Sequence, residues 1–234
     1  PMINDKNKKV SVLLSVFNNK DTVEEAINSI LNQSYSNIEL LITDDFSDDS
    51  SYDICKYISK KDNRIILFRN SRNLGLTKTL NIMLKASTGY YIARQDADDI
   101  SYFERIEKQI EALEKNNFDV IYTRAVKKGS NHLIPRFSYY LPLKILSRYK
   151  NPCVHGTLLT KKKNIFDVGC YDESFYYAQD YKLLNSFLNK NMKIKILSDP
   201  YYVLNTENNI STNFKKEQKY YADCVRKKRK PIVK

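Results

Sequence analysis

The sequence predicts an α/β fold in which helices flank a mostly parallel central sheet, with a smaller mixed part toward the C-terminal end. Short apolar runs alternate with segments of helical periodicity through residues 1–100. Strands that alternate with helices are joined by crossovers, and such connections give parallel strands. Because 234 residues with 42% hydrophobic content suffice for one core, we expect a single domain over residues 1–234.

In the first half, each predicted strand leads into a helix. The predicted strands cover 10–17, 38–43, 64–69 and 89–94, and later helices cover 50–59 and 76–85. The first helix follows a capping signal at Asp21, Thr22 and Glu24 and has this inward face: Val23, Ala26, Ile27, Ile30 and Leu31. Ligands of such sheets collect beyond the carboxyl ends of the strands, so we expect functional residues to follow strands.

The second half has a looser pattern. A helix over 101–115 is indicated by a capping box at Ser101 and Glu104, with Phe103, Ile106, Ile110 and Leu113 facing inward. Residues 127–150 are basic and aromatic without a clear period, and we expect a mobile connection there. The remaining predicted elements are strands at 119–126, 154–160 and 194–197, a helix at 180–189 and a helical tail from Phe214.

Carboxylates cluster where two predicted strands end. Asp44 and Asp45 follow the second strand, and Asp96, Asp98 and Asp99 follow the fourth. Clustered carboxylates repel one another unless a cation compensates them. Mg²⁺ and Mn²⁺ bind one or two protein carboxylates together with phosphate oxygens. The pattern therefore predicts a divalent metal site, with acidic turns as the structural alternative.

Composition excludes several classes of protein. The five glycines form neither a dinucleotide-binding fingerprint nor a P-loop. The four cysteines are widely spaced and lack a C-x-x-C pair, which favours reduced thiols. Two classes of protein remain compatible with the sequence at this point. One is a metal-dependent nucleotidyltransferase, although no glycine follows the first strand. The other is a basic nucleic-acid-binding protein, favoured by the formal charge of +12.

One ordered series of segments stands out along the chain: VSVLLSVFN (10–18), ILNQSY (30–35), ELLITDDFSDD (39–49), NLG (73–75) with Asn81, GYYI (89–92), DADD (96–99), GCYD (169–172) and QD (179–180). In this order, the segments resemble family 2 glycosyltransferases with the GT-A fold, of the inverting bacterial polysaccharide and lipopolysaccharide type. The resemblance implies transfer of a sugar from a nucleotide donor, which we expect to be a UDP-sugar. The acceptor would be a hydroxyl of a saccharide or lipid-linked saccharide in cell-surface glycan synthesis.

The resemblance also implies a donor-binding half over residues 1–100. Ser15 and Phe17 would flank the nucleotide base, with the Phe17 ring stacked on it, and Asn18 follows them in the same motif. Asp45 would accept a hydrogen bond from the base. Core packing is the alternative for Phe17, and turn formation is the alternative for Asp45.

Residues 101–212 would form the acceptor-binding and catalytic half. The active site would combine residues of this half with the acidic turn at residues 96–99. Asp98 corresponds to the principal ligand of Mn²⁺ or Mg²⁺, and Asp96 lies near the ribose or the metal. Asp180 matches the general base, with a helix N-cap as its structural alternative. His155 is a candidate for contacting the diphosphate or the acceptor, although a lone histidine is more often structural.

Two features of the C-terminal region complete the expectations. Thr206 stands where many relatives carry a histidine, which puts that histidine's donor contact in doubt. Residues 213–234 form a basic tail, in which residues 226–230 could bind an anionic membrane surface beside a partly apolar helical face. With no apolar stretch of membrane-spanning length, we expect a cytoplasmic protein that is peripheral on the inner face of the membrane.

Overall fold

The computed structural model describes residues 8–206 and 214–232. The strands are β1 (Val10–Val16), β2 (Ile38–Asp44), β3 (Ile65–Arg69), β4 (Tyr91–Asp96), β5 (Ile100–Ser101), β6 (Val120–Lys127), β7 (Leu133–Ile134), β8 (Leu159–Lys161) and β9 (Ile194–Leu204). The helices are α1 (Val23–Leu31), α2 (Ser51–Ser59), α3 (Leu76–Ala86), α4 (Arg105–Lys115), α5 (Leu143–Leu146), α6 (Lys162–Asp167), α7 (Gln179–Asn189) and α8 (Lys215–Arg226).

The strands form one mixed sheet in the order β3-β2-β1-β4-β8-β6-β9-β5, with β7 paired to β6. The first four strands along this order are parallel neighbours. Beyond them, β8 is antiparallel to both β4 and β6, whereas β9 runs parallel to β6. The predicted α/β fold is therefore confirmed, with its parallel part in the first half of the chain and its mixed part in the second.

Apolar side chains cover both faces of this sheet. Successive residues of a strand point to opposite faces, so Leu14 of β1 joins a core cluster with α1, α2 and α4, and Leu13 joins a second cluster with α3, α6 and α7. All seven residues of β2 are buried. Burial on both faces explains why these strands are nearly continuous apolar runs in the sequence.

The predicted capping box at Ser101 is wrong. Ser101 belongs to β5, pairs with Tyr202 of β9, and donates its hydroxyl to the Gln95 side chain at 2.6 Å. The helix therefore begins only at Arg105. Phe103, predicted to face inward, is 65% exposed. At the start of α1, the Thr22 hydroxyl likewise donates to a carbonyl, that of Ala97 at 3.0 Å, and does not cap the helix.

The bounds of other strands and helices also differ from the prediction, because contacts between distant segments determine them. The strand predicted at 154–160 is a 3₁₀ turn, His155–Thr157, followed by the shorter strand β8. β9 extends to Leu204, well past the predicted end at 197, because its second part pairs with β5 and β6. Residues 127–150, predicted as a mobile connection, contain β7, a 3₁₀ turn at Phe137–Tyr140 and α5.

The C-terminal helix uses its apolar face for packing within the protein. Tyr221, Cys224 and Val225 of α8 are buried against a cluster that contains Phe175 and Tyr181. The predicted helical tail is thus present, but most of its apolar face is covered. Residues 213, 233 and 234 of the predicted tail lie outside the described residues.

Candidate active site

The carboxyl ends of β1, β2 and β4 meet at one edge of the sheet. In the strand register, Ser15 of β1 is level with Thr43 of β2 and with Asp96 of β4. Phe17 directly follows β1 and its side chain is 46% exposed. The alternative of core packing for Phe17 is therefore wrong. The ring is available to a ligand at this edge.

Asn18 joins the loops that follow β1 and β2. Its backbone N–H donates to the Ser47 hydroxyl at 3.0 Å, and its side-chain oxygen accepts from the Asp48 N–H at 3.1 Å. Its φ of 53° lies in the left-handed region, which asparagine tolerates better than most residues. Asn18 thus fixes the backbone around the exposed Phe17 ring.

Asp45 holds the loop that precedes α3. One carboxylate oxygen accepts from the Asn70 side chain at 2.7 Å and from the Leu74 N–H at 2.8 Å. The other oxygen accepts from the Gly75 N–H at 2.8 Å. Gly75 has a φ of 82°, and a Cβ at this position would collide with the Tyr176 ring. Asp45 is therefore more than a turn former, because its carboxylate organises a loop beside the site.

Phe46 is a feature of this edge that our sequence reasoning missed. Its ring is 50% exposed, and its φ of 67° places a bulky residue in the left-handed region. Such strained backbone persists where the surrounding structure over-determines it, often at ligand sites. The Arg69 guanidinium lies 6.0 Å from the ring centroid. The sequence signal was an aromatic residue directly after a strand-end aspartate pair.

The acidic turn after β4 rests on a buried arginine. Arg94 is fully buried and donates to the Asp96 carboxylate at 2.5 Å and to the Leu13 carbonyl at 2.6 Å. The Asp96 N–H donates to the Tyr202 hydroxyl at 3.1 Å. Asp96 is thereby held in place while its side chain stays 30% exposed to the site.

A second buried arginine, Arg105, contacts the backbone of Arg94. Arg105 donates to the carbonyls of Arg94 and Gly156, both at 3.0 Å. Burial lowers the pKa of Arg105 to about 10, so its guanidinium stays charged at neutral pH. A Cβ on Gly156 would lie 2.7 Å from an Asp96 carboxylate oxygen and would collide with the Tyr202 hydroxyl. This position therefore requires glycine.

Asp98 and Asp99 lie in an environment that disfavours their ionised forms. Burial, followed by the charge of Asp96, raises the pKa of Asp98 to about 6. Burial and the charges of Asp96 and Asp98 raise the pKa of Asp99 to about 9. Asp99 accepts a hydrogen bond from the Asn205 N–H at 2.6 Å, whereas Asp98 remains partly exposed. Asp98 is thus a partly exposed carboxylate of this turn, and the charge of Lys128 offsets the rise in its pKa only in part.

The described residues contain no group of three His, Cys, Asp or Glu side chains arranged as a metal site. Oxygen ligands from Asp96 and Asp98 nevertheless match the preference of Mg²⁺ and Mn²⁺, which commonly bind few protein carboxylates and complete their shell with phosphate and water. Thr206 directly follows Asn205 and so stands next to this turn, whereas residues 207–211 of the same stretch lie outside the described residues.

His155 lies on the 3₁₀ turn beside Gly156. Its Nε2 is 2.7 Å from the Tyr171 hydroxyl, and the two rings make an edge-on contact. Burial, followed by the positive charge of Arg94, lowers the pKa of His155 well below its usual range. His155 is therefore neutral at physiological pH and already has one polar partner inside the protein.

Asp180 projects from the first turn of α7. The N-cap position of this helix is Ala178, so the alternative of Asp180 as the N-cap is wrong. The Asn151 side-chain amide donates to the Asp180 carboxylate at 2.7 Å, and the Asn151 oxygen accepts from the Cys153 N–H at 3.0 Å. Burial raises the pKa of Asp180, opposed by hydrogen bonds from the Tyr181 N–H and the Asn151 amide and reinforced by the charge of Asp96. Asp180 and Asp96 therefore share one electrostatic environment.

A cleft of about 420 Å³ lies next to Asn151, the residue that donates to Asp180. Its walls are residues 133–138 on one side and 150–154 on the other, and they include Asn151. Sequence reasoning missed Asn151 because nothing local distinguishes it from any asparagine before a proline. Asn151 thus contacts the Asp180 carboxylate, whose pKa is raised, and also lines an open cleft.

Known structures share this fold. A crystal structure of Staphylococcus aureus TarS 1–349 with UDP-GlcNAc aligns with a TM-score of 0.74 at 21% identity, over 88% of this chain and 61% of that chain. The mannosyltransferase PcManGT from Pyrobaculum calidifontis, in complex with GDP-Man and Mn²⁺, aligns with a TM-score of 0.77 at 17% identity, over 96% of this chain and 66% of that chain. The fold is that of the GT-A glycosyltransferases.

The sequence narrows this class to one family. The profile described as "Glycosyl transferase family 2" matches residues 11–171. The chain belongs to glycosyltransferase family 2. This membership agrees with neither the nucleotidyltransferase nor the nucleic-acid-binding interpretation.

Curated relatives include bacterial glycosyltransferases. "Putative glycosyltransferase EpsE" of Bacillus subtilis is 45% identical over 117 residues, which are 49% of this chain and 42% of that protein. The chain thus spans less than half the length of this relative. "UDP-Glc:alpha-D-GlcNAc-diphosphoundecaprenol beta-1,3-glucosyltransferase WfaP" of Escherichia coli is 32% identical over 216 residues, or 88% of this chain and 81% of that protein. Among the described residues, no helix combines the length and apolarity that crossing a membrane requires.

Proposed function

We propose that this protein transfers a sugar, with inversion, from a UDP-sugar to a hydroxyl of a lipid-linked saccharide in cell-surface glycan synthesis. The observation that supports the proposal is that the charge of Asp96, at the strand-end edge, contributes to the raised pKa of both Asp98 and Asp180. The name of WfaP, which specifies a UDP-glucose donor and a diphosphoundecaprenol-linked acceptor, supports the substrate class. The UDP-GlcNAc complex of TarS is consistent with a uridine donor on this fold.

In this proposal the donor lies across the ends of β1, β2 and β4. The Phe17 ring stacks on the uracil base, Ser15 lies at its edge, and Asn18 fixes the loop that carries both contacts. Asp45 retains acceptor capacity beside its three existing donors, because an ionised carboxylate offers about four lone-pair sites. His155, with a neutral imidazole ring, lies near the diphosphate.

Asp98 and Asp96 would hold Mn²⁺ or Mg²⁺. Carboxylates whose pKa is raised by burial and mutual repulsion gain stability from a bound cation, and this applies to Asp98. When bound, the metal neutralises charge on the leaving diphosphate. The buried Arg94 limits the repulsion by neutralising part of the charge of Asp96.

Asp180 is the proposed general base. Its carboxylate takes the proton of the acceptor hydroxyl while that oxygen forms a bond to the anomeric carbon of the donor sugar. The bond from the anomeric carbon to the diphosphate oxygen breaks with its electron pair, and the nucleotide diphosphate leaves. Because attack and departure occur on opposite faces, a single displacement inverts the anomeric configuration. The acceptor reaches Asp180 through the cleft that Asn151 lines.

Calorimetric titration of UDP with and without Mn²⁺ tests the donor site. In Asp98→Ala, we expect the metal-dependent part of UDP affinity and the transfer activity to be lost, because the diphosphate loses its bridging cation. Asp48→Ala is a matched control, since Asp48 is an exposed carboxylate on the same edge. Unchanged metal-dependent affinity in Asp98→Ala contradicts the assignment.

A further inference from the structure

The segment 136–150, which we call the 136–150 face, exposes an unusual set of side chains. Five large hydrophobic residues within it are each more than half exposed: Phe137 (73%), Tyr140 (77%), Leu141 (55%), Ile145 (52%) and Tyr149 (69%). Contiguous exposed apolar groups on a folded protein mark an interaction surface. Single exposed hydrophobic residues elsewhere on the molecule have no such meaning.

The charge on this face has one sign. Four cations lie within it, and all are exposed: Arg136, Lys144, Arg148 and Lys150. Between residues 120 and 166 the sequence has ten Lys or Arg residues and no Asp or Glu. The face therefore complements an extended anionic surface, and it repels a second copy of itself.

The basic tail adjoins the same face. The Arg226 guanidinium at the end of α8 donates to the Tyr149 carbonyl at 2.9 Å. Residues 227–230, which are all Lys or Arg and all exposed, follow directly. Since α8 buries most of its own apolar face, the tail contributes charge, and apolar contact has to come from the 136–150 face.

The face is also fixed to the helix that carries the proposed base. The Tyr181 hydroxyl donates to the Ser147 carbonyl at 2.6 Å, and Asn151 binds Asp180 immediately beyond the face. Arg136 and Lys150 line both this face and the cleft. A surface bound to the face therefore lies beside the cleft that Asn151 lines.

We infer that the 136–150 face docks on an anionic lipid bilayer, with its apolar side chains in the interfacial region and its cations, together with residues 227–230, at the anionic headgroups. Aromatic and aliphatic groups combined with Lys and Arg are typical of interfacial binding, and two weak signals together give stable attachment. Exposed Leu141 and Ile145 favour a bilayer over single-stranded nucleic acid, since aliphatic side chains offer no ring for bases to stack on. This inference goes beyond the proposed reaction and holds for any sugar transferred.

The chain contains no tryptophan, so one introduced tryptophan reports on one position. In Tyr140→Trp, we expect vesicles of phosphatidylglycerol and phosphatidylethanolamine to shift the emission to shorter wavelength, and lipid-borne bromine to quench it. Tyr57→Trp is the matched control, because Tyr57 is 59% exposed beside Lys61 on a different helix, α2. We expect no shift from the control or from neutral phosphatidylcholine vesicles.

A second set of variants separates the face from the tail. Leu141→Gln with Ile145→Gln should lower the vesicle partition coefficient by about tenfold or more, as expected when two buried aliphatic groups are lost. Replacing residues 227–230 by Gln should weaken binding mainly at low salt. Unchanged UDP affinity and far-ultraviolet circular dichroism show that each variant is folded.

Three results would overturn the inference. The first is an equal shift, or no shift, from Tyr140→Trp and Tyr57→Trp. The second is unchanged partitioning of the Leu141 and Ile145 double variant, which would make the tail the only anchor. The third is a response of Tyr140→Trp to oligonucleotide or to protein concentration and not to vesicles. Failure of UDP binding in the unaltered chain would contradict the proposed function, but it would not change the interpretation of the vesicle-binding results.

Discussion

Substitution of Asn151 by alanine gives a sharp test of how Asp180 is prepared as a base. The Asn151 oxygen accepts from the Cys153 N–H at 3.0 Å, which orients the amide nitrogen toward Asp180 at 2.7 Å. This donor stabilises only the ionised carboxylate. Its loss in Asn151→Ala therefore raises the pKa of Asp180 further above its ordinary range.

The magnitude follows from the strength of one hydrogen bond to a charged group. Such a bond contributes about 1.5–3 kcal/mol, which corresponds to about 10–100-fold in rate. A base whose pKa is raised is lost as the pH falls, and it is restored as the pH rises above that pKa. We therefore expect kcat/KM for the acceptor to fall by about this factor on the acidic side, and to recover toward the unaltered value in alkaline buffer.

The assay is a pH profile of sugar transfer at saturating donor. Asn185→Ala is the matched control, because its side-chain amide donates to the Tyr181 carbonyl at 2.9 Å within the same helix and touches no carboxylate. In an Asp180→Asn background, Asn151→Ala should have no further effect on the profile. A loss of equal size at every pH, or a full additional loss in the double variant, would refute the reasoning.

Two further predictions concern the base and the acidic turn. Asp180→Asn should leave donor affinity intact and lower turnover by about 10²-fold or more, the scale of a lost general base, as measured at saturating acceptor; near-normal turnover would assign the base elsewhere. Gly156→Ala should cost about 1–3 kcal/mol in the free energy of unfolding, measured in urea, because the new methyl group overpacks the site between Asp96 and Tyr202. Adding Tyr202→Phe removes the closest atom and should recover part of this loss, whereas no recovery would show that the clash is not with that hydroxyl.

The parallel half of the fold was predictable because its signals are local. Buried strands such as β1 are largely apolar runs, and the carboxylates lie at strand ends, with Asp45 directly after β2 and Asp96 as the last residue of β4. Their convergence needs only the rule that parallel strands end at one edge. The roles implied for Ser15, Phe17 and Asn18 came from the resemblance and remain proposals.

The support of the site could not be predicted, because it depends on contacts between distant segments. Arg105 lies in α4 and had no predicted role, yet it reaches the carbonyls of Arg94 and Gly156. Ser101 has the spacing of a capping residue, but pairing with Tyr202 overrides that local preference. Asn151 contacts Asp180 of α7, which lies 29 residues further along the chain, and no local sequence pattern signals that contact.

The strand order has a consequence for the modular exchange of specificity. β1 to β4 form one uninterrupted block of the sheet from one continuous stretch of chain, whereas Asp180 and the cleft come from later segments. A chimaera joined after β4 would therefore combine the proposed donor-binding block of one enzyme with the proposed acceptor-binding part of another. Such an exchange works only if the incoming segment supplies the residues that contact the end of β4, namely Arg105, Gly156 and Tyr202.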